Sequence, residues 1–217
     1  ELAKRLHLPK AYSSIRELLE DKSVRVVHLT SPNRFHYKQC LQVLDAGKHV
    51  VCEKPLAMNS EESSDLVRRA ALSSLVAAVN YNVRFYPLCL ESKLRCHSKQ
   101  IGEIYHITGS YLQDWLLYDT DFNWRVLGSE GGELRAVADI GTHWLDLICY
   151  ITGLEVESVF ADLKTVHPAR KSFVGSVETF QAVQTNRDYK LIPIDTEDFG
   201  MILVRFQGGA RASFTVS

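Results

Sequence analysis

The first eighty residues alternate strand signals with helix signals, and this alternation constrains the fold more than any other feature of the chain. Three apolar or β-branched runs predict strands: Val24–Thr30, His49–Cys52 and Leu75–Asn80. Between them, Asn33 can cap a helix that Gly47 ends, and Asn59 or Ser60 can cap another. Short apolar strands joined by helices are typical of a parallel sheet. The sequence therefore predicts part of a doubly wound α/β domain over residues 1–80.

The pattern changes after residue 80. Helices are predicted over about Tyr86–Lys99 and Ala136–Thr152, the second ending at Gly153. Strands are predicted at Glu103–Trp115, Val156–Thr165, Ser176–Val183, Glu197–Phe206 and Ala210–Ser217, the last two as a hairpin. Two polar stretches, Arg170–Ser176 and Gln184–Asp188, are predicted to be loops. Residues 81–217 are thus expected to form an α+β domain with a mainly antiparallel open sheet.

Composition excludes several classes of function. The 217 residues carry 25 Lys and Arg against 26 Asp and Glu, without a basic run, so neither nucleic-acid binding nor electrostatic membrane attachment is expected. The longest apolar stretches fall far below the roughly 18 residues that cross a bilayer. The five cysteines form no CxxC pair, which favours reduced thiols and a cytoplasmic location.

Both ends of the sequence suggest a piece of a longer protein. Residue 1 is Glu rather than Met, and Glu1–Leu6 has the pattern of a helix already under way. At the other end, the predicted strand at Ala210–Ser217 has no following turn or partner. We expect that segments are missing at both ends.

The first candidate site is Thr30-Ser31-Pro32-Asn33, followed by His36, at the carboxyl end of a predicted parallel strand. Ligands of open α/β sheets bind at those ends, where hydroxyl side chains and a helix amino terminus suit a polar ligand. The alternative is a turn begun by proline with an asparagine cap.

The second candidate is Glu53-Lys54-Pro55, directly after the strand His49–Cys52. A lysine beyond a buried strand can donate a proton or polarise a carbonyl group. Most lysines are exposed, so the alternative is a surface lysine in a turn.

The third candidate lies in the predicted helix, where Asp139 and His143 are four residues apart and Asp146 three further, so all three share one face. A carboxylate beside an imidazole raises its basicity and fixes its tautomer, as in a general base. The alternative is a surface pair four residues apart. A metal site is a weaker interpretation, because no second His or Cys cluster completes it.

The order of these motifs resembles the Gfo/Idh/MocA family of NAD(P)-dependent oxidoreductases, which act mainly on sugars, inositols and related polyols. The resemblance rests on the first and second candidate motifs, on AGKHV at residues 46–50 and on DIGTHWLD at residues 139–146. Shorter matches are NVRF at 82–85, GEI at 102–104, NWR at 123–125 and the glycine pair at 131–132. Together these motifs span nearly the whole chain.

The resemblance implies a Rossmann-type domain that binds NAD or NADP, followed by a substrate-binding and oligomerisation domain. It implies catalytic roles for three residues: Lys54 near the nicotinamide, His143 as general acid/base on the hydroxyl, and Asp139 holding substrate or histidine. Residues implied to contact the cofactor are Thr30, Ser31, Asn33, His36, Glu53, Lys54, Asn82 and Arg84. Residues implied on the substrate side, with Asp139 and His143, are Trp115, Trp124 and Arg125, although the tryptophans suit core packing equally.

Further implications concern partners and completeness. Related proteins commonly associate through the outer face of the second-domain sheet, so a homo-oligomer is expected. The sequence contains no GxGxxG turn, which in this fold cradles the pyrophosphate. We therefore expect the chain as written to bind cofactor poorly and to be inactive alone. Two other classes stay open: a noncatalytic ligand-sensing or regulatory protein of the same fold, and a structural oligomerisation piece.

Overall fold

The computed structural model describes residues 2–173 and 188–217. The chain divides into two compact units, Glu1–Asn80 and Tyr81–Ser217. We refer to them as unit 1 and unit 2. The roles assigned to the two domains from the sequence, cofactor binding and substrate binding, stay predictions.

Unit 1 contains a three-stranded parallel sheet in the order β1-β2-β3 and four helices. The strands are β1 (Val26–Leu29), β2 (His49–Cys52) and β3 (Ala77–Val79). The helices are α1 (Leu2–Arg5), α2 (Ile15–Glu20), α3 (His36–Asp45) and α4 (Ser60–Leu72). Leu29 lies opposite Cys52, and Cys52 lies opposite Val79, so the three strands end at one edge. The predicted parallel sheet is confirmed.

Two helices of unit 1, α2 and α4, begin at side-chain caps. Ser14 accepts a hydrogen bond from the Glu17 N–H at the start of α2, and Asn59 accepts one from Glu62 at the start of α4. The prediction that Asn33 caps α3 is wrong. Asn33 begins a 3₁₀ turn, Asn33–Phe35, that precedes the helix, and the residue at the N-cap position of α3 is Phe35. The core packs α3 and α4 on the sheet through Val27, Leu29, Cys40, Val43, Val50, Cys52 and Leu66.

The described residues of unit 2 form six strands in two sheets and three α-helices. The strands are β4 (His106–Tyr111), β5 (Val156–Lys164), β6 (Ala169–Phe173), β7 (Tyr189–Pro193), β8 (Phe199–Phe206) and β9 (Arg211–Val216). The α-helices are α5 (Pro87–His97), α6 (Gly128–Gly131) and α7 (Thr142–Thr152). Single 3₁₀ turns cover Asn82–Phe85 and Trp124–Val126, and a π-helical turn covers Val137–Gly141.

The main sheet of unit 2 has the order β4-β9-β8-β5. Its β5-β8 and β8-β9 pairs are antiparallel and its β4-β9 pair is parallel, so the expected mainly antiparallel sheet is confirmed. One face of the sheet packs on α7, where the Trp144 indole stacks on Phe214 with ring centroids 4.3 Å apart. A side chain at Gly109 would collide with that indole, which explains the glycine in the middle of β4.

A second antiparallel pair, β6 with β7, departs from the sequence-based prediction. Arg170–Ser176 was expected to be a loop, but Ala169–Phe173 is a strand paired with Tyr189–Pro193. The sequence did not predict this strand because its charged residues are typical of an exposed loop. Arg170 is nevertheless fully buried, by partners distant in the sequence. The predicted strand Ser176–Val183 and nearly all of the predicted loop Gln184–Asp188 lie outside the described residues.

Three further features were searched for within the described residues. No helix there is long and apolar enough to cross a membrane. No group of three or more His, Cys, Asp or Glu side chains in those residues could hold a metal ion. All five cysteines are free thiols, and Cys40 and Cys52 are buried.

Candidate active site

The carboxyl edge of the unit 1 sheet collects the residues of the first two motifs. The hydrogen-bond ladder continues one residue past each strand: the Glu53 N–H donates to the Leu29 carbonyl at 2.9 Å, and the Asn80 N–H donates to the Cys52 carbonyl at 2.8 Å. Lys54 follows immediately and is half-buried, and the Lys54–Pro55 peptide bond is cis. The fold therefore places Lys54 where ligands of open parallel sheets bind.

The Glu53 carboxylate lies in a polar network along this edge. The Asn80 side-chain amide donates to Glu53 Oε1 at 2.6 Å, and His28 Nε2 lies 3.6 Å from the same oxygen. Sequence reasoning missed Asn80 and His28 as members of the site. Asn80 is the last residue of the predicted strand Leu75–Asn80, and this position was the available signal.

The His36 ring is fully buried beneath the two loops. Its Nε2 lies 2.8 Å from the Ser31 carbonyl oxygen and its Nδ1 lies 2.8 Å from the Pro55 carbonyl oxygen. The ring thus connects the loop after β1 to the loop after β2. Both nitrogens contact the backbone, and the predicted contact of His36 with a cofactor stays a prediction.

The remaining residues of the first motif differ in exposure. Thr30 is exposed, whereas Ser31 and Asn33 are half-buried. The Ser31 hydroxyl donates to the Gln39 side-chain oxygen at 2.6 Å, which ties the loop to α3. All three side chains lie at the same edge of the sheet as Lys54, where the sequence predicted them.

In unit 2, the third motif does not form one continuous α-helix. The Thr142 N–H donates to the Val137 carbonyl, five residues back, so Asp139 lies in a π-helical turn while His143 lies in α7. The prediction of a regular helix through both residues is therefore wrong. The buried Glu197 carboxylate accepts the N–H groups of Arg135 and Val137, both at 2.7 Å, and so satisfies the first amides of this turn.

His143 lies between two tyrosine rings. Its centroid is 5.6 Å from that of Tyr81, edge to face, and 6.3 Å from that of Tyr111. Burial raises the pKa of Tyr81, and a hydrogen bond with Thr142 opposes that rise. The tyrosines restrict the orientation of the imidazole, and neither was identified from the sequence.

The predicted substrate-side residues of unit 2 are brought together by Arg125. Its guanidinium carbon lies 4.4 Å from the Trp124 ring centroid and 5.8 Å from that of Trp115. Its Nε lies 3.8 Å from an oxygen of Asp139. A forked donor, a carboxylate and two aromatic rings thus come from three separate segments of the chain. Whether they bind substrate stays a prediction.

Arg84 and Asp146 form a two-pronged ion pair. Arg84 Nε donates to Asp146 Oδ2 at 2.6 Å, and a second guanidinium nitrogen donates to Oδ1. The hydrogen bonds to Asp146 raise the pKa of Arg84. The Asp146 carboxylate therefore faces Arg84. The predicted contacts of Arg84 and of the exposed Asn82 with cofactor stay predictions.

A buried ionic cluster supports the segment that carries Asp139. Asp198 Oδ1 accepts from Arg170 at 2.7 Å and from Arg135 at 3.2 Å, while Arg170 also donates to the Tyr118 and Asp121 carbonyls. Burial lowers the pKa of Arg135. The cluster links the start of the π-helical turn to β6 and β8.

Comparisons with known proteins identify the family. Residues 1–81 match the oxidoreductase family with an NAD-binding Rossmann fold, and residues 91–217 match the GFO/IDH/MocA C-terminal domain. The chain belongs to the Gfo/Idh/MocA oxidoreductase family, as the resemblance in the sequence predicted.

Individual relatives include sugar and inositol dehydrogenases. A levoglucosan dehydrogenase from Pseudarthrobacter phenanthrenivorans is 33% identical over 98% of this chain and 54% of its own length. A Bacillus subtilis scyllo-inositol 2-dehydrogenase (NADP(+)) is 30% identical over 66% of this chain and 44% of its own length. A solved levoglucosan dehydrogenase in complex with NADH and levoglucosan superposes with a TM-score of 0.85 at 31% identity, covering 98% of this chain and 53% of that one. The chain thus spans about half the length of these relatives.

Proposed function

We propose that the whole protein transfers a hydride between a nicotinamide cofactor and a secondary hydroxyl of a sugar, inositol or related polyol. The observation that carries the proposal is the cluster of Arg125, Trp115, Trp124 and Asp139 in unit 2. Aromatic faces beside hydrogen-bonding charges suit a polyhydroxylated ring. The relatives named above act on ligands of that chemistry, which supports the same class here.

The residues at the carboxyl edge of unit 1 fit the nicotinamide end of a dinucleotide. An exposed Thr30 hydroxyl, the half-buried Ser31 and Asn33, and the Glu53–Lys54 pair supply donors and acceptors at the place where such sheets bind ligands. Those residues, with Asn82 and Arg84 of unit 2, would hold the cofactor. When bound, the nicotinamide ring would accept or return the hydride.

Proton transfer falls to the chain's own side chains. His143 takes the hydroxyl proton as the alcohol is oxidised and returns it in the reverse direction. Lys54 donates a hydrogen bond to the reacting oxygen and stabilises negative charge on it. Asp139 holds a substrate hydroxyl or the imidazole. Arg125 binds further hydroxyl groups while the tryptophans cover the apolar face of the ring.

We also propose that the 217-residue chain by itself binds dinucleotide weakly and does not turn over. The sequence lacks the GxGxxG turn whose backbone amides would hold the pyrophosphate. Titration of the chain with NADH and NADPH, followed by cofactor fluorescence, checks this. Tight binding would contradict it. The same titration of the whole protein separates a preference for NAD from one for NADP.

The enzymatic proposal is tested by assaying the whole protein with NAD, NADP and a panel of sugars and inositols. Lys54→Met and His143→Asn should each lower kcat by about 10²–10⁴-fold, the usual contribution of positioned proton transfer. Lys38→Met, an exposed lysine on α3, is the matched control and should leave turnover unchanged. Unchanged turnover in both test variants would contradict the catalytic roles proposed for Lys54 and His143. Ligand binding without turnover in the unsubstituted protein would favour the ligand-sensing alternative.

A homo-oligomer formed through the outer face of the unit 2 sheet is a further part of the proposal. Phe160, Met201 and Leu203 point to that face and are 68%, 49% and 55% exposed. An apolar sheet surface of this kind suits a second copy of the same surface. Light scattering should show a larger mass for the unsubstituted protein than for Leu203→Lys. Leu72→Lys on α4, which changes an apolar residue that is 85% exposed, is the control.

A further inference from the structure

We propose that His36 is a positioning residue that sets the place of Lys54 by holding the Pro55 carbonyl. The inference rests on the proposed function, because it concerns how the Lys54 ammonium reaches its working position. It differs from the predicted role of His36, which was direct contact with the cofactor.

The first step of the argument concerns the backbone on either side of Lys54. On one side, the Glu53 N–H donates to the Leu29 carbonyl at 2.9 Å and ends the sheet ladder. On the other side, the Pro55 carbonyl lies 2.8 Å from His36 Nδ1. Lys54 is thus the one residue between two anchored backbone groups. Because a misplacement of about 1 Å can cost a hundredfold in rate, such anchoring matters for a proton donor.

The second step concerns the histidine itself. The ring is 0% exposed, and both of its nitrogens lie 2.8 Å from carbonyl oxygens. A carbonyl oxygen only accepts and a neutral imidazole carries one N–H, so the contact with Pro55 is a hydrogen bond in the tautomer that has its hydrogen on Nδ1. His36 is also the first residue of α3, which packs on the sheet through the buried Cys40 and Val43. The ring is therefore attached to a packed helix and lies 2.8 Å from carbonyl oxygens on two loops.

The two contacts can be removed separately. The side-chain amide of asparagine places its nitrogen close to the position of Nδ1, and that of glutamine places it close to Nε2. His36→Asn should therefore keep a donor beside the Pro55 carbonyl and lose the contact with Ser31. His36→Gln should keep a donor beside the Ser31 carbonyl and release the loop that carries Lys54.

The experiment measures backbone hydrogen exchange and turnover in the whole protein. We expect His36→Gln to speed exchange in peptides covering residues 53–58 and to lower kcat about tenfold or more, with little change in the cofactor KM. We expect His36→Asn to speed exchange in peptides covering residues 30–33 and to keep kcat within about threefold. Equal losses in both variants that follow their thermal stability, or full activity in His36→Gln, would overturn the proposal.

The exchange readout separates this proposal from the function on which it rests. If the exchange pattern appears but Lys54→Met retains turnover, the role of Lys54 fails while the anchoring by His36 stands. If neither amide variant folds, imidazole NMR of the unsubstituted protein decides. A slowly exchanging Nδ1–H signal from His36 supports the contact with Pro55, and its absence overturns the proposal.

Discussion

The two units bury their polar side chains in different ways. In unit 1, His36 and Lys48 are buried with their nitrogens beside backbone carbonyls: Lys48 Nζ donates to the Asp21 and Val24 carbonyls at 2.9 and 2.7 Å. In unit 2, buried charges also pair with one another, as Asp198 does with Arg135 and Arg170.

The difference determines what a substitution leaves behind. Removing a side chain that donates to a carbonyl leaves a neutral oxygen acceptor. The free energy of unfolding then falls by about the contribution of a hydrogen bond. Removing one member of a buried ionic cluster leaves an opposite charge without compensation, which is far more costly. Unit 2 should therefore be more sensitive than unit 1 to single changes at buried polar positions.

The largest expected effect is that of Asp198→Asn. The substitution keeps the shape but leaves the fully buried Arg170 and the buried Arg135 without their shared carboxylate. The free energy of unfolding of unit 2 should fall by about 3–5 kcal/mol, measured by urea denaturation. Asp119→Asn, which changes a half-exposed carboxylate paired with Lys171, is the control and should not shift the midpoint measurably. A small effect of Asp198→Asn would remove the contrast between the units.

The pH dependence of stability sharpens the same contrast. Burial raises the pKa of Asp198, but hydrogen bonds from the His167 amide and Arg170 outweigh it, so the pKa is lowered overall. A carboxyl group with a lowered folded-state pKa contributes stability above its unfolded pKa of about 3.9, and that contribution is lost as pH falls through the folded value. The stability difference between wild type and Asp198→Asn should therefore be constant near neutral pH and shrink below about pH 4. Urea midpoints across that range measure it, and a difference independent of pH would contradict the assignment.

The contrast also explains what could be predicted from the sequence. The carboxyl edge of unit 1 was predictable because strand ends follow from local patterns, and parallel pairing then brings the residues that follow the strands to one edge. The contacts of His36 within this edge could not be predicted, because its ring lies beside carbonyls on two separate loops.

In unit 2 the decisive contacts are side-chain pairs distant in sequence. Arg84 and Asp146 are 62 residues apart, as are Arg135 and Glu197. Local periodicity cannot predict pairs so distant in sequence. The π-helical turn at Asp139 was missed for the same reason. Its first amides are satisfied by Glu197, a residue from the segment before β8. A helix pattern alone predicts a regular α-helix there.

A smaller effect is expected for Lys48→Met in unit 1. Methionine retains the apolar part of the side chain, so the change removes mainly the two hydrogen bonds to carbonyls. The free energy of unfolding should fall by about 1–3 kcal/mol, the range for hydrogen bonds from a charged donor. Lys38→Met serves as the exposed control on the same unit. A loss as large as that of Asp198→Asn would show that bonding to carbonyls does not lessen the cost.

The smallest effect is expected for the Arg84–Asp146 pair, which lies in unit 2 but is only partly buried. The Arg84 side chain is 38% exposed and the Asp146 side chain is 11% exposed, so water screens the charges and can reach an unpaired guanidinium. A double-mutant cycle with Arg84→Met and Asp146→Asn should give a coupling energy of about 0.5–1 kcal/mol in thermal or urea unfolding. A coupling of several kcal/mol would mean that ion pairing itself, rather than burial of the pair, determines how much stability unit 2 loses on substitution of a charged residue. A small coupling energy would instead assign the effect to burial. Removing one partner of an ion pair then destabilises the unit strongly only where the other partner has no access to water.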